Sequence, residues 1–92
     1  KMNILEQWRF SDEQKKNMTP AMIARSEAIV KFLEANPDVV ESIENWRKLT
    51  KEEQNKMTEE YQQIYLNMPE NTEEESLAKT IFFPKNWHII RP

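Results

Sequence analysis

TPAMIARSEAIVKFLEANPDVVESIENWRKLTKEEQNKMTEEYQQIYLNM, residues 19–68, is the stretch on which the fold turns. It opens on helix-start chemistry at Thr19-Pro20, again at Asn36-Pro37, and again at Thr50 with Glu53 three residues on. A Thr or Asn oxygen accepts from the orphan N–H groups of a first helical turn, and Pro at the first helical position gives up a donor that has no partner there. The Thr-x-x-Glu spacing closes a reciprocal capping box. The pattern predicts helices from Pro20 to about Ala35, from Pro37 to the basic pair Arg47-Lys48, and from Thr50 to Met68, where Pro69 stops the last.

The apolar spacing gives each helix a face. In the first, Ile23, Val30 and Leu33 make a stripe with Ile29 and Phe32 beside it. In the second, Val39, Val40, Ile43 and Trp46 share a side. In the third, Met57, Tyr61, Ile64 and Met68 recur at i, i+4, i+7 and i+11, the clearest amphipathic stripe in the chain. The expected core is therefore Ile23, Val30, Leu33, Ile43, Trp46, Met57, Tyr61 and Ile64. The expectation is an all-α fold, a small three-helix domain over residues 19–68 carrying extended aromatic arms at both ends.

Outward from this stretch, residues 1–18 form an N-terminal arm anchored by Ile4, Leu5, Trp8 and Phe10, the first residues short and without a cap. Ser11 with Gln14 is a capping box for a turn or two. Residues 69–92 begin acidic: Thr72 with Glu75 is a further capping box, opening a short helix to about Lys79. The remainder, Thr80 to Pro92, is rich in large apolar residues, and Pro84 removes both a donor and a helical backbone, so it is expected to lie extended on something. Trp8, Phe10, Ile81, Phe82, Phe83, Trp87, Ile89 and Ile90 either cover the chain's own helices or anchor a partner protein. The sequence leaves both open.

The totals exclude whole classes. The chain has 92 residues, no Cys, no Gly, one His and a net charge of −3. One domain is the expectation for that length. Absent Cys rules out disulfides, thiolate metal sites and a Cys nucleophile, and absent Gly disfavours a phosphate-cradling loop. No apolar run approaches the ~18 residues of a membrane span. His88 sits alone in the tail and the carboxylates fall on helix faces, so no nucleophile–base pair or metal constellation is in view. No catalysis, cofactor, metal or small-molecule substrate is expected. An intracellular setting fits the absence of Cys, with organelle (mitochondrial) and nuclear sites both open; the start at Lys1 in place of Met is compatible with an imported protein.

Lys15-Lys16-Asn17-Met18-Thr19-Pro20-Ala21-Met22, then Asn36-Pro37, then Trp46, Leu49, Thr50, Glu52 and Glu53, resemble the high-mobility-group (HMG) box over roughly residues 15–68. The resemblance implies three helices in an L with Trp46 in the angle. It implies DNA binding through Lys15 and Lys16 against phosphate, with Met22 as a minor-groove wedge, and Arg25 is counted with them as a nucleic-acid residue of that reading. Departures come with it. Ala21 and Ala24 stand where the family has large aromatics, as does Met57, and the second helix is shorter than usual by about two turns. Residues 15–68 carry eight Lys/Arg against nine Asp/Glu. Phosphate neutralisation supplies most of the affinity of DNA binding, and that balance lacks it. Trp8, Phe10 or the tail aromatics are candidates to fill the space of the missing core rings. The reading that follows is a non-catalytic protein-interaction or structural subunit of a larger assembly. A weak-affinity DNA-binding box is the alternative, and an acidic DNA mimic a third.

Overall fold

The computed structural model describes residues 2–92, and these form seven helices with no strand among them. They are α1 Ile4–Trp8, α2 Asp12–Lys15, α3 Pro20–Ala35, α4 Pro37–Arg47, α5 Lys51–Asn67, α6 Glu73–Lys85 and α7 Trp87–Ile90. The helix starts follow the caps. Thr19 Oγ1 accepts from Met22 N at 3.2 Å with Pro20 at the head of α3. Ser11/Gln14, Thr50/Glu53 and Thr72/Glu75 each close a full capping box. Hydrogen bonds from the backbone and side chain of Thr50 hold the Glu53 carboxyl below its ordinary pKa. Asn3 caps α1, its side chain accepting from Glu6 N at 2.9 Å, so the expected uncapped segment has a start signal after all.

Backbone contacts divide the chain into two compact units, Lys1–Glu44 and Asn45–Pro92. The division falls within α4, inside the 19–68 stretch that reads as one domain in the sequence.

In the first unit α1 packs on α3. Ile4, Leu33 and Val39 form the buried cluster, with Leu5, Trp8, Ile29, Phe32, Val40 and Ile43 packed against it. Ser26 is buried on the same side of α3, its hydroxyl donating to the Ile23 carbonyl at 2.7 Å. The inner stripe of α3 thus runs through the buried Ser26 and Leu33, with the half-buried Ile29 packed against the cluster, while Ile23 and Val30, also half-buried, lie outside it. The Glu44 carboxylate accepts from Ile4 N at 3.0 Å and ties the start of α1 to α4. Asn36 donates its side-chain amide to the Phe32 carbonyl at 2.8 Å, closing the end of α3.

In the second unit α5, α6 and α7 pack on one another. Its most buried residues are Trp46, Ile89 and Ile90. Here two expectations are corrected. The tail is not extended: Ile81, Phe82 and Phe83 belong to α6, which continues past Lys79 to Lys85, and Trp87–Ile90 form a further turn. Pro84 is accommodated because it sits next to the end of α6, where it removes one hydrogen bond at Thr80, an exposed residue. The expected core position Ile64 is also wrong, being 48% exposed. The inner face of α5 runs through Met57, Tyr61, Tyr65 and Met68, so Tyr65 takes the place that the i+7 spacing assigns to Ile64. No described helix is long and apolar enough to cross a membrane.

Candidate functional site

The second unit is built on a continuous aromatic seam. Phe82 stacks on Tyr61 (centroids 6.2 Å) and on Tyr65 (6.4 Å). Phe83 lies 5.0 Å from Tyr65 and 5.2 Å from Trp87, the latter pair edge to face. These geometries add about 0.5–1.5 kcal/mol per pair beyond the area they bury. The Lys79 ammonium sits 5.0 Å from the Tyr65 centroid and pairs with Glu70 at 3.1 Å. At the outer end the Arg91 guanidinium lies 5.5 Å from the Trp87 centroid. Side-chain amides pin the seam to the backbone: Gln62 donates to the Ile90 carbonyl at 3.0 Å, and Gln54 to that of Trp46 at 2.9 Å.

The residues expected to reach a partner separate into three groups. Ile89 and Ile90 are interior, 2% and 5% exposed, and are not available as anchors in this chain. Phe82 and Phe83 are half-buried in the seam, Trp8 is packed against the first unit's cluster, and Phe10 is half-buried. Only Ile81 and Trp87 face outward, 46% and 47% exposed. Leu77 joins them at 61%. The sequence held the signal for Leu77, which is four residues before Ile81, but an extended backbone after Lys79 hides the fact that the two share a helical face.

The residues that the HMG-box resemblance assigns to DNA lie in the first unit. Met22 is 52% exposed on the first turns of α3, and Arg25 is exposed one turn on. Lys16 is paired with Glu13 at 3.2 Å, and Lys15 is half-buried. Among the described residues no group of three or more His, Asp and Glu is placed to hold a metal ion.

His88 lies edge-on to Trp46 (centroids 6.2 Å, planes at 84°), and burial pushes its pKa down to about 4. The unfolded imidazole titrates near ~6.5, so between that pH and about 4 the unfolded chain binds a proton that the folded chain refuses. Stability is therefore full above pH ~6.5 and falls as the pH is lowered toward 4, by on the order of 1–2 kcal/mol after allowing for partial solvent screening. The expected result is that His88→Gln loses less stability than the parent chain between pH 7 and pH 4.5 in urea melts. An imidazole that titrates by NMR at its ordinary value would overturn this.

Comparison with protein families, curated proteins and solved structures gives no match for this chain.

Proposed function

We propose that the chain is a non-catalytic protein-interaction or structural subunit of a larger assembly, with the second unit carrying the contact. The observation behind this reading is the apolar surface left open beside a fully formed core: Leu77, Ile81 and Trp87 are 61%, 46% and 47% exposed while Ile89 and Ile90 are sealed. Exposed apolar patches mark interaction sites, and Trp is the residue type most enriched at energetic centres of interfaces. Trp87 is contacted by both Phe83 and Arg91. That restraint lowers the entropy lost when it inserts into a partner. The test is recovery of the tagged protein from its native source with and without Trp87→Ser. Loss of associated proteins at unchanged helical content is expected, and an unchanged set of associated proteins would overturn the assignment.

One observation favours the alternative, a weak DNA-binding box: Met22 and Arg25 both stand exposed on one side of α3. Against it stands the acidic balance of residues 15–68, which lacks the phosphate-neutralising charge of such proteins. Titration of four-way-junction DNA at two salt concentrations decides between them. Micromolar binding that weakens steeply with salt would favour DNA. The expected result is no binding at either concentration.

A further inference from the structure

We draw no further inference here: the strongest candidate, the exposed apolar surface patch of Leu77 and Ile81 on α6, carries nothing beyond the interaction reading, because nothing in the structure shows what covers it.

Discussion

Removing Trp87–Pro92 is expected to melt the second unit. The deleted segment contains α7, whose Ile89 and Ile90 are 2% and 5% exposed and are two of the unit's three most buried apolar residues. Burying an Ile side chain stabilises by about 1.5–3 kcal/mol, so the pair alone contributes roughly 3–6 kcal/mol. The deletion also removes the Ile90 carbonyl that accepts from Gln62, the His88 ring against Trp46, and the Trp87 ring against Phe83. Total stabilities of single domains are about 5–15 kcal/mol, so a loss of this size leaves little or nothing. The measurement is amide hydrogen exchange resolved along α5 and α6. Protection there is expected to collapse, and Ile89→Ala with Ile90→Ala is expected to reproduce most of the collapse without shortening the chain. Retained protection in the deletion would mean that the tail is an appendage and that α5 and α6 hold each other alone.

That outcome would separate two roles that the tail's composition runs together. Many large apolar residues in Thr80–Pro92 identify a segment that must be covered, and the sequence says no more than that. The structure divides the segment by position: Ile89 and Ile90 inward, Phe82 and Phe83 along the seam, Ile81 and Trp87 outward. A deletion therefore cannot test the outward residues, because it destroys the inward ones. Point changes at exposed positions can.

What was legible in the sequence was local. Thr19-Pro20, Thr50 with Glu53, Thr72 with Glu75 and Ser11 with Gln14 mark helix starts because each cap is made by residues within one turn, and every one of these starts is where the spacing puts it. Leu33 and Trp46 are core positions, as expected. Faces and ends were less legible because they depend on what returns to cover them. Tyr61, Ile64 and Tyr65 sit at helical spacings that admit two stripes, and the stacking of Phe82 and Phe83 on Tyr61 and Tyr65 chooses between them. Pro84 misled for a related reason. The rule against Pro applies to a helix interior, and whether residue 84 is interior depends on where the helix stops. The HMG-box resemblance rests on short motifs at helix junctions, which are the local part of the chain.

In the first unit, Leu33→Ala is expected to cost about 2–5 kcal/mol, the range for truncating a buried Leu. Leu33 is 4% exposed and sits with Ile4 and Val39 at the centre of the cluster, one helical turn beyond Ile29 on the inner stripe of α3. The cost depends on how far its neighbours can collapse into the space. Two features oppose collapse. The Glu44 carboxylate fixes the first turn of α1 to α4 through Ile4 N, and Asn36 fixes the end of α3 through the Phe32 carbonyl. Both bonds hold backbone in place around the cavity, which argues for the upper part of the range. The surface pair Arg9–Glu34, about half exposed on each side, offers little to compensate, since such pairs contribute about 0–1 kcal/mol. Urea denaturation of Leu33→Ala beside the parent chain gives the number, and Glu44→Met, which keeps the side-chain length and removes the acceptor for Ile4 N, tests in the same background the reason for it. If the Glu44 bond is what keeps α1 from settling into the cavity, the double variant loses less than the two single losses combined. Strict additivity would mean that α1 is free to follow the missing side chain and that the cavity closes from the α1 side unaided.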